Sequence, residues 1–270
     1  LEKRGFEVTR LKPDASGAIP VQSVVDALRD DTILVSLMMV NNETGAVTDI
    51  SAVSRELKRA GSQALLHTDA VQGFMKVPFR AKTLGADMIS ISGHKIHAPK
   101  GIGALYIRAG LKLKPFIVGG SQESGMRAGT EAMPQIAAFG AASEIAYAGM
   151  KENVARMAAL RERAVSRLEQ DIPELRVISS ADSAPHILSI SLPGWRSEVL
   201  MNYLEARGVY VSRSSACKKG GRSHVLEAVG LDAKTIDGAI RVGLSRLTTE
   251  EDIDALCIAL RDAHDTLAHR

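Results

Sequence analysis

Short apolar runs that alternate with longer amphipathic segments are the feature that most constrains the fold of this chain. The runs at 32–39, 65–68 and 88–92 have strand length, and helical periodicity marks 21–28 and 50–60. A strand that is apolar on both faces must be covered on both faces, as in the parallel sheets of α/β proteins. The pattern therefore predicts an α/β fold with a mostly parallel sheet sandwiched by helices.

The pattern changes near residue 150. Beyond it we expect a long helix at 154–168, strands at 176–178, 186–192, 209–212 and 239–244, and helices at 198–207 and 249–269. We therefore divide the chain into a large domain, residues 1–150, and a smaller C-terminal α+β domain, residues 151–270. The chain opens without a Met and leads at once into an expected strand at 7–11, so we expect that an upstream part of the large domain is missing.

Composition excludes several classes of protein. The 270 residues are 45% hydrophobic and 24% charged, as in a globular protein, and a net charge of +3 without a run of like charges gives no sign of direct nucleic-acid binding. No apolar run approaches the roughly 20 residues that cross a membrane. Two cysteines without disulfide or zinc spacing favour the reducing cytoplasm.

Polar residues cluster directly after the expected strands, where open α/β sheets bind ligands. Lys95 follows a buried strand between glycines, and desolvation there favours the neutral amine that forms a Schiff base with an aldehyde cofactor. Asp69, at the end of another strand, is the partner that the pyridine nitrogen of pyridoxal phosphate (PLP) needs. Taken singly, Lys95 is an ordinary surface lysine and Asp69 a helix N-cap; taken together, they favour PLP.

Donors for a phosphate lie near Lys95. Ser92, His94, Thr130 and the glycine-rich stretch 119–130 offer hydroxyl, imidazole and backbone groups, although the glycines alone are compatible with simple turns. A rival hypothesis is a metal site, built from the residues His67, Asp69, His94 and His97. We expect no metal, because that hypothesis gives Lys95 no role.

Two residues of the second half suit the handling of a substrate. Cys217 lies among cationic side chains, which favour the thiolate, and next to glycines, whereas Cys257 lies on an apolar helix face and suits packing. Arg241 interrupts an apolar strand at 240–244, and its guanidinium suits either a substrate carboxylate or a structural ion pair.

Six separated motifs, in this order, resemble the cysteine desulfurases of the NifS and IscS type, which are class V aminotransferase-like, fold-type I PLP enzymes. The motifs are 40–45, 67–72, 92–106, 127–130, 215–217 and 240–246. The resemblance extends over nearly the whole chain. An upstream segment of the family, which carries a phosphate-binding turn and a histidine that stacks on the cofactor, has no counterpart, so the resemblance also implies an N-terminally incomplete chain.

The resemblance implies a role for each motif residue. Lys95 holds PLP covalently, Asp69 pairs with the pyridine nitrogen, and Asn42 and Gln72 contact the ring hydroxyl side. Ser92 and His94 hold the phosphate, and Thr130 reaches the phosphate of the other subunit of a homodimer. Arg241 with Asn42 binds the carboxylate of L-cysteine, and Cys217 takes up the sulfur of that cysteine as a persulfide and leaves L-alanine.

The expected function is therefore a PLP-dependent cysteine desulfurase that supplies iron–sulfur cluster assembly or tRNA thiolation through a sulfur-acceptor protein. Two alternatives stay open at this point. One is another class V PLP lyase, such as a selenocysteine lyase. The other is a truncated, non-catalytic remnant that only dimerises or binds partners.

Overall fold

The structure is a computed structural model that describes residues 1–213 and 221–267. Its strands are β1 (Leu34–Met38), β2 (Leu65–Asp69), β3 (Met88–Ser92), β4 (Gly103–Ile107), β5 (Arg176–Val177), β6 (Ile187–Ser191), β7 (Ser212–Arg213) and β8 (Ala239–Gly243). Its α-helices are α1 (Val21–Asp26), α2 (Ile50–Arg59), α3 (Ala81–Leu84), α4 (Met133–Ala148), α5 (Met150–Asp171), α6 (Ser197–Glu205), α7 (His224–Val229), α8 (Ala233–Asp237) and α9 (Glu250–Thr266).

The chain forms two compact units. We call one the lysine unit, Leu28–Met39 with Asp49–Met150, and the other the arginine unit, Leu1–Ala27 with Val40–Thr48 and Lys151–Arg270. The arginine unit thus contains two segments that the sequence-based division had kept within residues 1–150. The division into a large and a small domain stays a prediction.

The lysine unit contains the predicted, mostly parallel sheet. Its strand order is β1-β2-β3-β4; β1, β2 and β3 are parallel, and β4 is antiparallel to β3. Alternate residues of β1 are buried, and α2 buries Ile50, Val53 and Leu57 along one side. The predicted α/β fold class is confirmed, although the sequence analysis did not predict β4.

The arginine unit is built on a second, antiparallel sheet with the strand order β5-β6-β8-β7. Leu188 and Ile190 of β6 join Ile240 and Val242 of β8 in a hydrophobic core that also includes residues of α5, α6 and α9. The expected strand at 7–11 is not formed, and β7 begins only at Ser212.

The segment Val40–Thr48 belongs to the arginine unit because its backbone is bonded to residues far along the chain. The Ser179 hydroxyl donates to the Thr44 carbonyl at 2.6 Å, and the Ala184 amide donates to the Gly45 carbonyl at 2.8 Å. Gly45 has a φ of 79°, and a Cβ there would lie 3.2 Å from Ile187. Only glycine fits this turn without strain.

None of the helices in the described ranges is both long enough and apolar enough to span a membrane.

Candidate active site

The lysine unit places Lys95 at the edge of its sheet where β2 and β3 end. The parallel ladder pairs Asp69, the last residue of β2, with Ser90, and β3 ends two residues later at Ser92. A single 3₁₀ turn, Gly93–Ile96, follows at once and carries Lys95. An amine and a carboxylate therefore lie on neighbouring strand ends, as the sequence predicts.

Close packing determines the position of this turn. Gly93 is buried, and a Cβ there would lie 2.9 Å from Ile102 and 3.2 Å from Phe139 of α4. The same Phe139 ring meets Phe74, in the turn after Asp69, edge to face at 6.2 Å. Aromatic packing thus connects the turn that follows β2 with the turn that carries Lys95.

Ser92 and His94 form a pair of polar side chains beside Lys95. The Ser92 hydroxyl lies 2.7 Å from Nδ1 of His94. Desolvation lowers the pKa of His94, and the positive charges of Lys95, Lys100 and Lys76 lower it further. Hydroxyl, imidazole and ammonium groups are donors that suit a phosphate, so these residues fit the phosphate end of PLP.

Lys76 is a group that the sequence analysis missed. Burial lowers its pKa to about 8, and the positive charge of Lys95 contributes to the shift. It lies in the segment after Asp69, next to Met75, whose φ of 60° is unusual for a residue other than glycine. Its lowered pKa depends on tertiary packing, for which the local sequence carries no signal.

His67 lies between two serines of the neighbouring strands β1 and β3. Its Nδ1 lies 2.8 Å from the Ser36 hydroxyl and its Nε2 lies 2.9 Å from the Ser90 hydroxyl. Burial lowers the pKa of this histidine, against the charge of Asp69. No group of three or more His, Cys, Asp or Glu residues within the described part of the chain is arranged to hold a metal ion.

The other cofactor residues predicted in the lysine unit are Gln72 and Thr130. Gln72 is half-buried in the turn that follows Asp69. Thr130 is exposed, directly after Gly129 and ahead of α4. The expected role of Thr130 depends on the resemblance alone.

Arg241 occupies the centre of the second sheet in the arginine unit. On β8 it pairs with Ser189 of β6 on one side and with Ser212 of β7 on the other. Its Nη1 donates to the Asn42 carbonyl at 2.7 Å, so the two predicted substrate residues do meet, through the Asn42 backbone. Burial lowers the pKa of Arg241, and the negative charge of Glu43 opposes this shift.

Glu43 and Ser223 are further residues that the sequence analysis missed. Glu43 is 6% exposed, and its Oε2 accepts a hydrogen bond from the Ser223 hydroxyl at 2.5 Å. Burial raises the pKa of Glu43, whereas the bond to Ser223 and the charges of His224 and Arg241 lower it. A serine ahead of a helix was a usable signal for the N-cap, but nothing local indicates that it meets a glutamate 180 residues away.

Cys217 lies outside the described residues. Near it in sequence, Arg213 pairs with Glu198 at 2.6 Å and Arg222 pairs with Asp237 at 2.7 Å. Cys257 is fully buried in the core of the arginine unit, where burial raises its pKa to about 11. The prediction that Cys257 packs as an apolar residue is confirmed.

A mostly parallel α/β sheet with a lysine and a carboxylate at neighbouring strand ends is typical of PLP-dependent enzymes. Residues 1–256 match the family model of aminotransferase class-V. The chain belongs to this family, for which PLP is the cofactor.

Individual relatives agree with the family assignment. The chain is 45% identical over 257 residues to cysteine desulfurase 2 of Trichormus variabilis, a match that covers 94% of this chain and 64% of the relative. It is 39% identical to the cysteine desulfurase IscS of Methanosarcina thermophila, over 94% of this chain and 63% of that protein. The chain therefore spans less than two thirds of the length of these relatives.

Solved structures share the fold. A NifS-like protein superposes with a TM-score of 0.91 at 36% identity, over 98% of this chain and 70% of that one. A NifS-like protein from Rickettsia africae superposes with a TM-score of 0.85 at 29% identity, over 95% of this chain and 69% of the other.

Proposed function

We propose that the protein is a PLP-dependent cysteine desulfurase, which converts L-cysteine to L-alanine and transfers the sulfur to Cys217. The observation that carries this proposal is the position of Lys95, on a turn directly after β3 and beside the strand that ends at Asp69. The cysteine desulfurase relatives support the same reaction.

The residues of the lysine unit suit the cofactor. Lys95 supplies the amine for covalent attachment, and Asp69 supplies a carboxylate for the pyridine nitrogen. Ser92 and His94 offer donors to the phosphate, and Gln72 offers its amide to the ring hydroxyl. When bound, PLP withdraws electrons from the substrate carbon atoms.

Arg241 is proposed to bind the substrate carboxylate, together with Asn42. The Asn42 carbonyl holds one side of the guanidinium, at 2.7 Å from Nη1. The fork of donors on Arg suits the two oxygens of a carboxylate.

Cys217 is the proposed nucleophile. Its thiolate attacks the sulfur of the bound cysteine, so that a sulfur–sulfur bond forms and the carbon–sulfur bond breaks. The electron pair of the broken bond stays with the substrate carbon, which is then protonated to give L-alanine. The cationic residues around Cys217 in sequence favour the thiolate that this step needs.

A second copy of the chain is the proposed partner of an exposed apolar surface on the lysine unit. Phe116 is 88% exposed and Val118 is 76% exposed. Most residues of α4 are exposed as well, although Glu144 is its only charged residue. Surfaces of this kind mark interfaces. Thr130 lies shortly before α4, separated from it by Glu131 and Ala132, which supports its proposed contribution to the site of the other subunit.

The use of the sulfur is the least constrained part of the proposal. An iron–sulfur scaffold protein and a tRNA-thiolation enzyme are both suitable acceptors for a persulfide. The two cysteines without disulfide spacing favour a cytoplasmic location. A selenocysteine lyase is the alternative activity, and a comparison of selenocysteine with cysteine as substrate distinguishes the two.

Cofactor binding is tested by incubation with PLP, borohydride reduction and peptide mass mapping. We expect an absorbance band of lysine-bound PLP and the pyridoxyl mass on Lys95. Lys95→Ala should abolish both, whereas the control Lys82→Ala, at an exposed lysine, should abolish neither. Label scattered over surface lysines would contradict the assigned cofactor site and would favour a non-catalytic remnant.

The nucleophile is tested separately, with cysteine as substrate. Cys217→Ala should keep the absorbance band and lose sulfide release, whereas Cys257→Ala should keep both. A Cys217→Ala protein that still releases sulfide at the wild-type rate would exclude Cys217 as the nucleophile.

A further inference from the structure

The guanidinium of Arg241 has fewer hydrogen-bond and ion-pair partners than a half-buried guanidinium usually has. With the described residues it forms one hydrogen bond, from Nη1 to the neutral Asn42 carbonyl. Within residues 1–213 and 221–267, no carboxylate forms an ion pair with it. A buried charge without a charged partner is costly, so an arginine in this state has donors available for an anionic ligand.

A second polar group beside Arg241 also lacks a partner. Ser189 pairs with Arg241 across β6 and β8, so both side chains project from the same face of the sheet. Ser189 is fully buried, and its hydroxyl forms no hydrogen bond with any described residue. Buried polar atoms without partners are rare in proteins and cost free energy. Two neighbouring unsatisfied groups indicate the place of a polar ligand.

Glu43 is the carboxylate whose charge acts on Arg241, but its hydrogen bond goes elsewhere. Oε2 of Glu43 accepts from the Ser223 hydroxyl at 2.5 Å. That hydroxyl in turn accepts from the Leu226 amide at 3.1 Å, as the N-cap of α7. The Ser223 hydroxyl therefore has a fixed donor and a fixed acceptor, and it holds Glu43 in a bond that does not include Arg241.

We propose that the Ser223–Glu43 hydrogen bond prevents Glu43 from pairing with Arg241, so that the guanidinium stays available for the carboxylate of an amino-acid ligand. The identity of the ligand rests on the proposed function. Ser223 and Glu43 are positioning residues in this proposal, because each acts through Arg241 and neither contacts the ligand.

Two substitutions test this role, and the second should reverse the effect of the first on ligand binding. In Ser223→Ala, Glu43 loses its hydrogen-bond donor and, as a buried carboxylate, takes Arg241 as its partner, in competition with the ligand. A second substitution, Glu43→Gln, removes the competing charge and restores ligand binding. If Ser223 and Glu43 were merely structural, the double variant would bind the ligand more weakly than Ser223→Ala does.

The experiment uses the full chain loaded with PLP and two amines that differ by one carboxylate. L-alanine and ethylamine are titrated separately, and the change in the PLP absorbance gives the dissociation constant of each. The ratio of the ethylamine constant to the L-alanine constant measures recognition of the carboxylate. We expect Ser223→Ala to lower this ratio roughly tenfold or more, the size of one charge-assisted hydrogen bond, and Ser223→Ala/Glu43→Gln to restore most of it.

Asp232→Ala is the matched control for the loss of a helix cap. Asp232 caps the short helix α8 through the Thr235 amide at 3.0 Å, without contact to Glu43. This variant also loses the contacts of Asp232 with the Thr235 hydroxyl and Arg176, so we expect it to lose at least as much thermal stability and to keep the wild-type ratio. The ratio does not depend on how much protein is folded, so partial unfolding of a variant leaves the comparison intact.

The outcomes separate the two proposals. A wild-type chain that binds both amines equally would contradict the role of Arg241 in the proposed function, and the present inference with it. A wild-type chain that prefers L-alanine, with an unchanged ratio in Ser223→Ala or no recovery in the double variant, would overturn the inference alone.

Discussion

The lysine unit and the arginine unit position their candidate site residues in different ways. In the lysine unit the polar contacts of Ser92 and Asp69 are local: Ser92 meets His94 and Asp69 meets the Val71 amide, each two residues away. In the arginine unit they are remote: Arg241 meets Asn42 across 199 residues and Ser223 meets Glu43 across 180. Local sequence is therefore informative about the first unit and much less so about the second.

The largest effect on stability is expected where Val40–Thr48 meets the rest of the arginine unit. Gly45→Ala should lower the free energy of unfolding by about 2–4 kcal/mol, because it adds a left-handed residue and a Cβ in close contact with Ile187 and Ser183. Urea denaturation measures this loss. The control is Gly208→Ala, where φ is 76° but no atom lies within 4 Å of the added Cβ, and we expect about 1 kcal/mol. Equal losses would show that the remote packing of Gly45 contributes little.

In the lysine unit we expect a substitution at Lys76 to raise the free energy of unfolding, by less than Gly45→Ala lowers it. The folded state lowers the pKa of Lys76 to about 8, so below that pH folding carries the cost of a desolvated charge, which is relieved as the pH rises towards the unfolded value. Lys76→Met should therefore raise the free energy of unfolding at pH 7 by about 1–2 kcal/mol, less than the full shift because water reaches part of the side chain.

The pH dependence checks the origin of that gain. Denaturation at pH 10 should show a smaller difference between Lys76→Met and wild type than denaturation at pH 7. Lys82→Met, at an exposed lysine, should show no comparable difference at either pH. A gain for Lys76→Met that is independent of pH would assign it to apolar packing instead of charge.

The smallest expected effect concerns Glu43, whose pKa is raised by burial. A raised carboxyl pKa contributes stability that is present below the unfolded pKa and is lost as the pH rises through the folded value. Glu43→Gln keeps an acceptor for Ser223. Its free energy of unfolding should therefore rise relative to that of the wild type between pH 4 and pH 7, by less than about 1 kcal/mol. A difference that stays constant over this range would mean that Glu43 titrates alike in both states.

The sequence predicts most of the elements that surround Lys95. The bounds of β3 agree with the structure, and those of β1, β2 and α2 agree to within two residues, because continuous apolar runs and a helical period are strong local signals. Lys95 and Asp69 follow from their positions after strands. By contrast, β4 was missed, because its residues alternate neither in polarity nor in burial.

The missed site residues share a physical cause. Burial of Glu43, the lowered pKa of Lys76 and the Ser223–Glu43 bond all arise from packing between residues distant in sequence. The expected strand at 7–11 was wrong for a related reason, since a strand forms only where a neighbouring strand accepts its hydrogen bonds. Local propensity is not informative about such partners.

Val40–Thr48 belongs to the arginine unit although the segments on both sides of it belong to the lysine unit, and this affects how the chain folds and how it can be divided. The hydrogen bond between Ser179 and Thr44 spans 135 residues. During synthesis, the segment therefore cannot form this bond until long after β1 has left the ribosome. A fragment that ends at Met150 keeps the segment without its partners, and a fragment that begins at Lys151 keeps the partners without the segment. The first half of the gene therefore encodes the whole lysine unit, whereas the arginine unit needs residues from both halves.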